Sequence, residues 1–189
     1  MNARRTILTW VVFFICTLIC ADRQSLHAKE KSRQPNIILV MTDDQGYWDT
    51  GISGNPLIET PTIDRMAAEG VTFTRFYANM VCAPTRAGLM TGRHYLRTGL
   101  YNTRFGGDTL GQHETTIAQV LKSAGYQTGL FGKWHLGRYA QYQPHRRGFD
   151  HFFGHYYGHI ERYTNPDQVV VNGAPVETRG YVTDLFTDA

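Results

Sequence analysis

The run Pro35-Asn36-Ile37-Ile38-Leu39-Val40-Met41-Thr42-Asp43-Asp44 decides the fold class. Five successive apolar residues, closed by Thr-Asp-Asp, leave no alternation between a core side and a solvent side. A strand of this kind is buried on both faces, as in a parallel sheet covered by helices. Downstream, Thr60 to Gly70 has a hydroxyl cap, proline in the first turn and a glycine stop, which predicts a helix. Val71 to Ala78 alternates and predicts a strand. A second helix is predicted from Pro84 to Gly92, with Cys82 just outside its N-terminus. A third runs from a Thr115 cap through Ile117, Val120 and Leu121 to a Gly125 stop. Tyr126 to Gly132 follows as a strand, and Val169-Val170-Val171-Asn172-Gly173 reads as a hairpin strand with its turn. Strand and helix alternate, so the fold class is α/β, with functional loops at the carboxyl ends of the strands.

The 189 residues and 42% hydrophobic content suit one domain with a packed core. Nineteen Lys+Arg against 16 Asp+Glu give a formal charge of +3, spread along the chain, so nucleic acid is not implied as a partner. Met1-Asn2-Ala3-Arg4-Arg5 and the apolar run Ile7 to Ala21 have the form of a secretory signal. The expected organisation is a signal peptide over 1–21, a polar linker over 22–34 and a single domain over 35–189. The apolar run is shorter than the ~20 residues a helix needs to cross a bilayer, so no stable membrane span is expected after cleavage. No Asn-x-Ser/Thr sequon occurs, which favours a bacterial periplasmic or secreted protein.

Removing the leader removes Cys16 and Cys20 and leaves Cys82 alone, in Cys82-Ala83-Pro84-Thr85-Arg86-Ala87-Gly88-Leu89-Met90-Thr91-Gly92-Arg93. A free cysteine is often a small buried hydrophobe. Here Pro84 and Thr85 are poor core neighbours, Arg86 is a permanent cation, and a helix N-terminus favours an anion. Asp43 and Asp44 follow the first strand; adjacent carboxylates suit a cation that takes hard oxygen ligands, although Asp is also common in turns and caps. Lys133 and His135, two apart after a strand, would face one side in an extended chain, or be a surface lysine and a satisfied histidine. Arg146 and Arg147 read as ordinary solvated charges. Phe149, Phe152, Phe153, Tyr156 and Tyr157 read as core. His151, His155 and His159 recur every four residues, but Gly154 and Gly158 weaken a helix there, leaving His155 and His159 as candidate cleft residues.

These residues resemble the sulfatase family of the alkaline phosphatase superfamily. Cys82-Ala83-Pro84-Thr85-Arg86 is similar to the signal for conversion of cysteine to formylglycine, and its continuation to Gly92-Arg93 matches the longer family pattern. Gly125 to Gly137 resembles the second family signature, and Asn36 to Gln45 resembles the first strand and metal loop. Arg147-Gly148-Phe149-Asp150 and the segment from Gly180 to Ala189 also look familiar, closest to the branch that includes arylsulfatase B. The resemblance implies an alkaline-phosphatase-like mixed, largely parallel sheet flanked by helices, and hydrolysis of sulfuric esters, with sulfated carbohydrates or aryl sulfates as substrates. It implies Asp43, Asp44 and residue 82 as calcium ligands, and Cys82, as formylglycine, for the nucleophile. A formylglycine-generating enzyme is the implied modifying partner. Arg86 would orient the hydrated aldehyde, Lys133 neutralise developing charge, and His135 bind or deprotonate the diol.

Family members are usually more than twice this long, and their second half brings an Asp-Asn pair, a histidine and a lysine to the site. No matching motifs occur in these 189 residues. The expectation is a truncated domain that binds calcium weakly and turns over little, through a truncated gene, a frameshift or an incomplete gene model. Two other readings stay open: a phosphodiester or phosphonate hydrolase of the same superfamily, and a non-catalytic exported fragment that binds sulfated glycans.

Overall fold

The computed structural model describes residues 34–104 and 106–189, so the expected signal peptide and nearly all of the linker lie outside the described residues. The chain divides after Met41. Of the first unit only residues 34–41 are described, and here the structure departs from expectation. Ile37 to Met41 form no strand, and Ile38 and Val40 are 88% and 78% exposed. An apolar run becomes a buried strand only when a neighbouring strand takes up its backbone groups, and no described strand pairs with this one.

Thr42–Ala189 is built on a four-stranded sheet in the order β1-β2-β3-β4: Gly129–Lys133 (β1), His151–His155 (β2), Val170–Val171 (β3) and Ala174–Pro175 (β4). β1 and β2 run parallel, in a register that pairs Gly129 with His151 and Lys133 with His155. β2, β3 and β4 are successively antiparallel. The β3–β4 turn is Asn172-Gly173, both with positive φ (49° and 96°), as a two-residue type I′ hairpin requires. The sheet is therefore mixed, and the helices are Pro61–Glu69 (α1), Cys82–Thr91 (α2), Ile117–Ser123 (α3) and Val182–Thr187 (α4).

Helix boundaries follow local chemistry. α1 begins with Pro61 after Thr60 and ends at Gly70, as expected. α2 starts two residues earlier than its proline suggested, so Cys82 is the first helical residue rather than an outside neighbour. Thr85 secures that extra half-turn, its hydroxyl donating to the carbonyls of Asn79 (3.1 Å) and Val81 (2.9 Å). α3 is capped by Thr116 rather than Thr115. The Thr116 hydroxyl accepts from the Gln119 amide, and the Gln119 side chain accepts from the Thr116 amide, a reciprocal capping box. Val71 to Ala78 is not a strand; Phe73, Phe76 and Tyr77 are about three-quarters or more exposed, and the alternating segment has no partner edge among the described residues.

The main core joins Ala83 and Ala87 of α2, Ala118 of α3, Leu100, Leu110, Trp134, Leu136, Phe149, Phe152 and Tyr156. Phe149, Phe152 and Tyr156 thus fulfil their expected core role, Phe153 packs on a second cluster of Ile160, Val169 and Val182, and Tyr157 stays 42% exposed. Arg147 corrects the sequence reading: it is 2% exposed, because its guanidinium donates to the Glu114 carbonyl at 2.7 Å while its own carbonyl accepts from Thr116 at 2.6 Å. The next residue, Gly148, lies against the start of α3 so closely that a Cβ would stand 2.5 Å from the Gln119 nitrogen. Glu114 closes the same region by accepting from Arg93, just past the end of α2, at 2.6 and 2.7 Å.

The strand pair is equally tight. A Cβ on Gly154 would fall 1.8 Å from the carbonyl oxygen of Gly132, its register partner in β1. Gly154→Ala is expected to destabilise the fold by about 3 kcal/mol by forcing β1 and β2 apart. Denaturant melts check this, and a midpoint near that of the parent chain would contradict the packing described.

Candidate active site

The carboxyl end of β1 and the first turn of α2 meet around Asp43. The Lys133 ammonium lies 2.6 Å from one Asp43 oxygen and an Arg86 guanidinium nitrogen 3.5 Å from the other. Arg86 also donates to the Lys133 carbonyl at 2.7 Å, fastening α2 to the end of β1. Both cations are largely buried, at 11% and 10% side-chain exposure. Burial disfavours the charge on Arg86 and lowers its pKa, against the pull of Asp43. For Asp43 burial works against ionisation, but Lys133 and Arg86 outweigh it and hold the carboxyl below its ordinary value. Asp44 adopts a left-handed backbone, φ 54°.

Cys82 is partly buried, free, and one helical turn before Arg86, so both lie on the same face of α2. Its side borders a cavity of about 590 Å³ that His135 and His159 also line. His135 does not sit in extended chain as its spacing from Lys133 suggested; it has φ 54°, and that turn aims the ring into the cavity wall. The ring Nε2 lies 3.1 Å from the Thr103 carbonyl, which can only accept, so Nε2 carries the proton and Nδ1 the lone pair. Nδ1 is buried without a hydrogen-bond partner, and burial, despite the Thr103 bond, lowers the His135 pKa. The ring fits because residue 158 is glycine; a Cβ there would be 2.6 Å from it.

The histidine series divides. His151 and His155 lie on β2 rather than on a helix, which removes any helical metal face. His155 is 5% exposed, stacks on Phe186 at 6.2 Å and does not border the cavity, whereas His159 does. The structure thus brings together Asp43, Arg86 and Lys133, and places Cys82, His135 and His159 on one cavity. Sequence reasoning missed Asn79, whose side chain holds the Pro84 carbonyl at 3.1 Å, and the Thr103 carbonyl. Neither carries a motif, since one works through its own amide and the other through the backbone.

A charged cleft at the carboxyl end of a strand, beside a helix start bearing a thiol, places this chain among α/β proteins whose chemistry sits at strand ends. The family is sulfatase: the chain belongs to it, with residues 35–189 matching the family described as Sulfatase. It is 40% identical to N-acetylgalactosamine-6-sulfatase of Mus musculus over 161 residues, 78% of this chain and 31% of that protein. It is 42% identical to arylsulfatase G of Homo sapiens over 174 residues, 86% of this chain and 33% of the relative. Among solved structures it is similar to a protein in complex with its substrate D-glucosamine-2-N,6-O-disulfate (TM-score 0.70, 34% identity, 82% of this chain, 30% of that one). It also resembles a sulfatase from Pseudoalteromonas sp. (TM-score 0.69, 27% identity, 87% and 41% of the two chains). The chain therefore spans about a third of the length of the curated relatives it matches.

Burial, followed by the Lys133 and Arg86 charges, depresses His155 to about 4 from an ordinary 6.5; Asp43 opposes the shift and His135 adds to it. Between those values the unfolded chain binds a proton that the folded chain refuses, so His155 costs no stability above about pH 6.5 and progressively more as pH falls toward 4. The melting temperature is expected to drop across that interval, and His155→Gln to flatten the drop. An unchanged slope in the variant would assign the acid sensitivity elsewhere.

Proposed function

We propose that residues 35–189 form the nucleophile-bearing part of a sulfuric ester hydrolase acting on sulfated carbohydrates, with Cys82 as the residue converted to formylglycine. The observation that carries this reading is the placement of Cys82 at the head of α2, on a sugar-sized cavity, one turn before an Arg86 that is tied to Lys133 and Asp43. The similarity to an N-acetylgalactosamine-6-sulfatase and to a protein bound to a disulfated glucosamine supports the carbohydrate class.

Formylglycine would supply an aldehyde whose hydrate offers one hydroxyl for attack on sulfur and a second for release of sulfate, which a plain thiol lacks. Arg86 and Lys133 place fixed positive charge where sulfuryl oxygens gain negative charge. His135, neutral at pH 7 and with its lone pair at Nδ1, takes up a proton at that nitrogen. His159 contacts the sugar at the cavity wall, and His155, away from the cavity, is assigned packing alone.

Calcium fits this chain in part. Asp43 and Asp44 offer the hard oxygens calcium takes, and Asp43 is held ionised. Yet among the described residues no group of three or more His, Cys, Asp or Glu is placed to hold a metal, and both Asp43 oxygens face cations. Asp43, Asp44 and residue 82 would by themselves supply only part of a shell that needs about six to eight oxygens. Bound there, calcium would add positive charge beside the sulfate. The domain organisation proposed is a signal peptide over 1–21, a linker over 22–34 and sulfatase residues over 35–189, in an exported, periplasmic or secreted protein. Among the described residues no helix is long and apolar enough to cross a membrane.

Coexpression with a formylglycine-generating enzyme, followed by tryptic mass spectrometry of Phe76 to Arg86, is expected to show a loss of about 18 Da at Cys82. A thiol retained while a control sulfatase is converted would overturn the reading. Calorimetric titration with calcium is expected to give a dissociation constant no tighter than about 1 mM, and micromolar binding would contradict a partial shell.

A further inference from the structure

We propose that the ligand of the Cys82 cavity is a sulfated sugar bearing a second anionic group, bound by Arg104 and Arg138; this rests on the cavity being a sulfate-ester site. Both arginines line the cavity and both are exposed. Neither takes part in any of the ion pairs among the described residues, in contrast to Arg86 and Lys133, which share Asp43. The cations available to the reacting sulfate and those at the cavity wall are therefore separate sets. Against the two wall arginines the lining holds one carboxylate, Asp108.

A guanidinium presents paired N–H donors that match a carboxylate or sulfate better than any neutral hydroxyl. Arg138 is held for such a role: its guanidinium carbon lies 5.3 Å over the Tyr139 ring, and one nitrogen is 3.5 Å from the Tyr139 hydroxyl. Tyr139 and Tyr157, 59% and 42% exposed, give the same cavity aromatic faces on which the apolar side of a sugar ring can lie. A volume of about 590 Å³ exceeds what a lone sulfate fills. A simple aryl sulfate or a singly charged sugar, with its sulfate at Cys82, would leave both wall arginines without an anion.

The test is calorimetry on the full chain at low ionic strength, with a monosulfated disaccharide and the same disaccharide carrying one additional carboxylate or sulfate. The second anion is expected to tighten binding about tenfold. That gain is expected to vanish in the double variant Arg104→Gln, Arg138→Gln, while affinity for the monosulfated sugar is unchanged. Equal affinity of the two sugars for the parent chain would overturn the proposal and leave the sulfate-ester reading standing. A gain that persists in the double variant would overturn the assignment to these arginines. Failure of both sugars to bind would overturn the proposal together with the reading beneath it.

Discussion

Much of the site depends on one guanidinium. Arg86 is nearly removed from solvent, where an unpaired cation would be costly, and it is kept charged by two acceptors on different segments: the Lys133 carbonyl that ends β1 and the Asp43 carboxylate. Those two bonds set where the first turn of α2 lies against the strand, and so where Cys82 stands. Arg86 Nε remains buried without a partner, so the group is not fully satisfied by the protein. The two neighbouring histidines sense the same charge, since Lys133 and Arg86 each depress both His135 and His155. A locally positive field next to the thiol is thus a property of the fold rather than of any single side chain.

Around this charge the backbone is shaped in ways that cost stability. His135 and Asp44 are two of four non-glycine residues with positive φ among the described residues, a conformation that costs roughly 1–2 kcal/mol for an L-residue. The turn at His135 lets a residue just past the ladder redirect its ring toward the cavity, with Gly158 leaving room for it. Strain of this kind collects where a side chain must be aimed rather than merely packed.

The sequence was legible wherever the signal was local. The presence of α1, α2 and α3, to within a residue or two at their starts, the Asn172-Gly173 turn and the aromatic core could be read because proline, glycine and hydroxyl residues act within a few positions. Strands were less legible. Ile37 to Met41 and Val71 to Ala78 carry strand patterns but lack partner edges among the described residues, and a strand is a relation between two segments. The strand expected over Tyr126 to Gly132 forms over Gly129–Lys133, where β2 accepts it in register. Among site residues, Cys82, Asp43, Arg86 and Lys133 stood in recognisable runs. Arg147 was misread because its burial depends on Glu114 and Thr116, more than 30 positions away. Arg104 and Arg138 belong to no motif and become visible only when the chain folds around the cavity.

Gly148 has a consequence for how this protein can diverge. Its φ of 99° and the Gln119 nitrogen facing its missing side chain mean that no replacement is conservative, since every other amino acid brings a Cβ. Variation there has to wait for a prior shift of the α3 start, which is itself tied to Arg147 through Thr116. The neighbourhood can therefore change only in a particular order, and descendants of this chain will differ at their surface loops long before they differ at this joint.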